Sequence, residues 1–226
     1  MCYIWAMNKI ITIGRQFGSG GHEAGKRLAE KLGIPLYDKE ILTMTAENSH
    51  FAESFLKKID ETRPSFLNLG MGGMAAGTAL AATNEAFVNQ FYSLSPNDQA
   101  FLEMSKVLRG IAAEGPCIII GRCADYILKE YDPVNFFLCA DLDQRVRRKM
   151  ALDEHSGVTE EEMTKLVETT DRNRAKFYEY YSHDRWGEAS HYHMCIDTGK
   201  VGVDGAVKLM CLYLEEYGKK NIMPDK

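Results

Sequence analysis

The sequence predicts an α/β fold: a five-stranded, mostly parallel sheet with helices on both faces. Three observations predict it. Residues 10–13, 34–37, 117–120, 134–140 and 193–196 are short apolar runs without strict polar alternation. Segments with apolar residues at helical spacing separate them. Polar residues gather where each run ends: Gly14, Asp38, Gly121-Arg122, Asp141 and Asp197-Thr198. In such sheets ligands bind beyond the C-terminal strand ends. At 226 residues the chain can bury the core of one domain, residues 1–226.

Taken in order, Ile10, Ile11 and Ile13 make the first strand, and Ala24, Leu28 and Leu32 give the next segment a helical face that ends at Gly33 as C-cap. Residues 34–37 are a second strand, and Asp38 is expected as N-cap of a helix carrying Ile41 and Leu42. Helices are expected over 51–59 and 79–92, with a Gly/Ala-rich loop over 62–78 between them. Ser95-Pro96-Asn97-Asp98 starts a helix to about Ala113, since Ser95 caps, Pro96 fits the first turn and Asp98 complements the dipole. After the strands at 117–120 and 134–140 comes a charged helix over 143–155. A capping box, Thr159 to Glu162, then opens a long helix to about Tyr181. The fifth strand follows at 193–196, and a last helix spans 203–217, closed by Gly218.

The first strand runs into Arg15-Gln16-Phe17-Gly18-Ser19-Gly20-Gly21-His22-Glu23 and then into helix. Glycines let backbone N–H groups converge on an anion, and the helix start adds partial positive charge, so this stretch reads as a phosphate loop. Its match to the pattern GxxxxGK[ST] is incomplete. With Gly20 before the lysine position, Gly21 stands where lysine reaches the outer phosphates and His22 where a hydroxyl holds Mg²⁺. Arg15 is the preferred substitute cation.

A net charge of −5 argues against coating a nucleic-acid polymer. No run approaches the roughly 20 apolar residues that span a bilayer. The start lacks the basic and apolar regions of a signal peptide, and Met7 could serve as initiator. The six cysteines form no CxxC pair, so a reduced, cytoplasmic protein is expected.

Arginines recur in separate elements: Arg122 after a buried strand, Arg145, Arg147 and Arg148 at a helix start, and Asp171-Arg172-Asn173-Arg174 on the long helix. Guanidinium forks neutralise a moving phosphoryl group well. Together with residues 14–21 and 28–40, Ile119–Arg122 and Ile196-Asp197-Thr198, these motifs make nearly the whole chain resemble the cytidylate kinase-like family, in the P-loop kinase group.

The resemblance implies a P-loop kinase fold, a lid with its long helix over about 141–181, and an acceptor-binding insertion over about 51–98. It implies transfer of the ATP γ-phosphate to a small phosphorylated acceptor, most directly CMP or dCMP. Residues 15–23 would bind ATP, with Arg15, Arg145 and Arg148 near the transferring phosphoryl. Asp38, Lys39, Arg122, Asp171 and Arg174 would face the acceptor. Mg²⁺ would accompany ATP, with Ser19, Glu23 and Asp38 as candidate ligands. The chain departs from true cytidylate kinases at Gly21, Cys123, Cys139 and Met44, where those enzymes carry lysine, aspartate, aspartate and arginine. Another small acceptor, or nucleotide binding without turnover, therefore remains a rival reading. His183, His191 and His193 lack metal-site spacing, and the aromatic group Phe177, Tyr178, Tyr180, Tyr181 and Trp186 is expected to pack the long helix.

Overall fold

The computed structural model describes residues 9–51, 56, 94–152 and 157–222. Most of the segment expected as an acceptor-side insertion, with its helices at 51–59 and 79–92 and its loop, lies outside the described residues, as does Met7.

Five strands form one parallel sheet: β1 (Ile11–Arg15), β2 (Leu36–Tyr37), β3 (Ile118–Ile120), β4 (Val134–Cys139) and β5 (Met194–Asp197). Their order across the sheet is β2-β3-β1-β4-β5. β1 is central, with Ile13 in register with Ile120 on one side and Phe136 on the other. Between them run α1 (Gly21–Leu32), α2 (Glu40–Glu47), α3 (Pro96–Glu114), α4 (Ala124–Ile127), α5 (Leu142–Met150), α6 (Glu160–Ser182) and α7 (Thr198–Ile222). Because every strand is parallel, all C-terminal ends meet at one rim. The chain reverses direction across the sheet at β1, where the glycine loop emerges.

The period of two along β3 divides the core. Ile118 and Ile120 pack with Leu28 of α1 and Val207, Met210 and Leu214 of α7. Ile119 packs on the opposite face with α2, α3 and α4, where Phe177 and Tyr178 of α6 also insert. Fully burying one such aliphatic side chain contributes about 1.5–3 kcal/mol, so the two faces fix the sheet from both sides.

Local signals set most element ends. Ser95 Oγ accepts from Asp98 N–H at 3.2 Å. Thr159 and Glu162 close both halves of the capping box, and Gly33 ends α1 at φ 65°. Four expectations shift. β1 extends to Arg15, so that residue closes the strand and is not within the loop. Asp38 does not cap α2: its side chain makes no capping bond and turns into the core side of the rim. α5 ends at Met150. Gly218 lies inside α7, which is interrupted at Gly202 (φ 70°) and continues to Ile222. Cys195 is exposed on the edge strand β5, whereas Cys117 is buried and its thiol is pushed up to about 11 by that burial. Among the described residues no helix is long and apolar enough to cross a membrane.

Candidate active site

The glycine loop between β1 and α1 has a shape that side chains enforce. Gly18 and Gly20 take φ values of 80° and 82°, a region costly to other residues. A Cβ at Gly18 would lie 2.8 Å from the Arg145 carbonyl oxygen. Gln16 N–H donates to Leu138 O at 3.0 Å, and Gln16 Oε1 accepts from Ala140 N–H at 3.1 Å, tying the loop to the end of β4.

α5, α6 and α7 then grip it. Asp171 Oδ1 accepts the Phe17 N–H at 2.7 Å. Its Oδ2 pairs with Arg145 Nη1, which also donates to Phe17 O at 3.2 Å, while Arg145 Nε donates to Ala140 O at 2.9 Å. Arg145 is buried and the Asp171 side chain is 13% exposed. Burial pushes the Asp171 carboxyl up, and the Phe17 N–H and the two arginines oppose that push. Arg148 Nη1 donates to Gly18 O at 3.0 Å, and Thr198 Oγ1 donates to Ser19 O at 2.6 Å. Lys149 and Arg174 sit over the Phe17 ring, 4.7 and 5.5 Å from its centroid.

A second group gathers at the ends of β1, β2 and β3. The side chain of Arg15 crosses Gly21: a Cβ there would stand 2.6 Å from Arg15 Cβ and 2.8 Å from its Cγ. Its guanidinium lies against Gly121, where a Cβ would overlap Nη1 at 1.7 Å. Arg15 Nη2 approaches Asp38 Oδ1 at 3.5 Å, and His22 Nδ1 is 2.8 Å from Asp38 Oδ2. Asp38 is buried and His22 is 61% exposed, so the imidazole forms the open edge of the group.

Gly121, Arg122 and Cys123 have φ values of 69°, 63° and 53°. Two non-glycine residues in the left-handed region cost about 1–2 kcal/mol each, a strain that clusters at functional sites. The turn buries Arg122 beside Arg15 and Arg174, and Arg174 Nη1 donates to Arg15 O at 3.2 Å. Burial, first, and then the neighbouring Arg15 push the Arg122 guanidinium well below its usual range, and Asp38 offsets this in part. Burial also lowers Arg15, against the pull of Asp38 and Asp171. Crowded, desolvated guanidinium groups of this kind favour an anion with several oxygens.

The residues named from sequence thus divide. Arg15, His22, Asp38, Arg122 and Arg174 come together at one mouth. Gln16, Phe17, Gly18, Ser19, Gly20 and Gly21 form the loop. Arg145, Arg148 and Asp171, expected at the phosphoryl or the acceptor, direct hydrogen bonds to the loop itself, because α5 and α6 pack against it. Lys39 is exposed at the start of α2. Thr198, read from sequence as a polar strand end and part of a family motif with no site role, holds the loop.

Three oxygens stood as candidates for the divalent cation of the nucleotide. Ser19 is buried and its hydroxyl donates to Gln16 O at 2.8 Å. Glu23 accepts from Arg27 Nε at 2.7 Å on the exposed face of α1. Asp38 is the carboxylate of the three that stands at the mouth. One carboxylate suits Mg²⁺, which keeps its remaining positions for phosphate oxygens and water.

Elsewhere, His193 Nδ1 accepts the Asn135 N–H at 3.0 Å and its ring packs near Tyr213 and Tyr217, while His191 stands 3.8 Å from Asp184. The aromatic group packs α6: Phe101 stacks on Tyr181 at 3.7 Å, and Tyr178 Oη donates to Asp125 at 2.7 Å.

Comparison with known proteins places this geometry. The profile of the cytidylate kinase-like family matches residues 10–200, and the chain belongs to that family. Among solved structures it is similar to an uncharacterized protein from Eubacterium ventriosum ATCC 27560, at 27% identity and TM-score 0.63 over 92% of this chain and 98% of that one. Shikimate kinase from Bacteroides thetaiotaomicron aligns at 15% identity and TM-score 0.52 over 92% and 98%. A gluconokinase from Sinorhizobium meliloti 1021 aligns at 13% and 0.52 over 96% and 97%. The fold is that of the P-loop kinases. No curated protein matches the chain.

Proposed function

We propose that this family member transfers the γ-phosphoryl group of ATP to a small phosphorylated acceptor, with CMP or dCMP as the first acceptor to test. The observation that carries the reading is the meeting of Arg15, Arg122 and Arg174 beside a braced glycine loop, with Asp38 at the same mouth. Phosphoryl transfer asks a protein mainly to position its reactants in line and to neutralise charge on the moving group. The loop, held by Asp171, Arg145, Arg148 and Thr198, supplies the cradle for the donor phosphates. Arg122 and Arg174 receive the acceptor phosphate. Mg²⁺ would accompany ATP as part of the substrate, and Asp38 is the side chain that would hold it. A phosphate acceptor is already anionic, so no base is required.

One observation favours a second acceptor class. The His22–Asp38 pair, 2.8 Å apart with the imidazole exposed, can take a proton from an alcohol. A small hydroxylated anion belongs in the same test.

The test is ADP formation from ATP and Mg²⁺ across nucleoside monophosphates and small hydroxy acids. Acceptor-dependent ADP with CMP or dCMP is expected. ADP with a hydroxy acid alone replaces the acceptor class. ATP binding with no ADP from any acceptor overturns the enzyme reading in favour of a nucleotide-binding regulator.

A further inference from the structure

The pattern GxxxxGK places its two glycines five residues apart. With the second at Gly20, the first falls on Arg15 and the lysine on Gly21. Both positions are therefore inverted: a long cation stands where the pattern has glycine, and glycine stands where it has the long cation. The structure shows that the two inversions depend on each other. The Arg15 stem occupies the space above Gly21 so closely that a Cβ there would lie 2.6 Å from Arg15 Cβ. Its guanidinium rests on Gly121, at the strained turn, where any side chain would overlap it.

We infer that Arg15 and Gly21 are a reciprocal exchange, in which the Arg15 guanidinium serves the outer phosphates of ATP in place of the missing lysine. This rests on the phosphotransferase reading above and assigns that site its donor-side cation. Two features support it beyond position. Among the described residues the guanidinium makes a long hydrogen bond, 3.5 Å to Asp38, leaving others of its five N–H donors for a ligand. The group is desolvated more than Asp38 and Asp171 compensate. A phosphate at the mouth supplies the charge this arrangement lacks.

The exchange predicts coupling between the two positions, read by equilibrium binding of ATP and AMP to the whole chain, without turnover. Arg15→Ala should weaken ATP by roughly 10- to 100-fold, the range of a charge-assisted contact, and leave AMP nearly unchanged. Gly21→Lys alone should also weaken ATP, because the new stem meets Arg15. The double variant R15G/G21K should recover at least tenfold over Arg15→Ala. Arg15→Lys, which keeps charge and stem, should stay closer to wild type than Arg15→Ala and guards against a general loss of fold. Equal loss of ATP and AMP in Arg15→Ala, no loss at all, or a double variant no better than Arg15→Ala would each overturn the exchange. Failure of the wild-type protein to bind ATP would instead overturn the phosphotransferase reading, so the two failures are read on different proteins.

Discussion

Two sets of arginines flank the same glycine loop and do different work. On the α5–α6 side, Arg145 and Arg148 donate to the carbonyl oxygens of Phe17, Ala140 and Gly18, and Arg145 pairs with Asp171. Their charge is matched by the protein itself, and they hold the shape of the loop. At the ends of β1 and β3, Arg15 lies close to the buried Arg122; burial pushes both below the usual guanidinium range, and Arg15 pushes Arg122 further. One side braces the loop; on the proposed function, the other receives an anion. Residue type alone does not separate these roles; what separates them is the packing, which sets Arg145 and Arg148 against the loop backbone and Arg15 beside Arg122.

Removing one member from each side should break the comparison most visibly. Arg145→Ala leaves the largely buried Asp171 without its ion partner and frees the loop, so denaturant unfolding should show a loss of about 2–4 kcal/mol, with nucleotide affinity lost as well. Equal stability to wild type would mean that the pair does not brace the loop. Arg122→Met should act in the opposite sense on stability. It removes a buried charge that its surroundings under-compensate, so stability should hold or rise by up to about 1–4 kcal/mol. Acceptor KM should nevertheless rise by about 10- to 100-fold. A destabilised Arg122→Met with normal KM would place Arg122 with the bracing set.

The smallest effect sharpens the same contrast away from the loop. Asp125 is half-buried and accepts from Tyr178, and desolvation pushes its carboxyl up. A carboxyl raised in the folded state contributes stability below the usual carboxylate range and loses it as pH rises through the raised value. Asp125→Asn keeps an acceptor for Tyr178. At pH 7 it should lie within about 1 kcal/mol of wild type. In denaturant titrations the wild type should gain on the variant as pH falls towards about 4. A flat difference across that window would contradict the shift.

Much of this was legible in the sequence because its causes are local. β-branched runs, the Ser95 and Thr159 caps and the αL glycines act within a few residues, so the described strands and the helices they bound fell close to their expected places, whereas the end of α5 and both ends of α7 did not. The site was legible as a list of residues and much less as a division of labour. Asp38 carries the local signature of a cap, a short acid just before a helix. Only the meeting of β1, β2 and α1 turns it towards Arg15 and His22. Arg145 and Asp171 are 26 residues apart and become a pair through the packing of α5 on α6. The Arg15–Gly21 relation was hidden for another reason. A pattern scored position by position registers two mismatches, whereas in space one side chain fills what the other lacks.

The most direct test of the central claim is ³¹P NMR of ATP, Mg²⁺ and CMP mixed with the full chain. The account predicts loss of the ATP γ resonance with matching growth of ADP and CDP signals. ATP that is bound yet chemically unchanged, with CMP and with each other acceptor in turn, would contradict it.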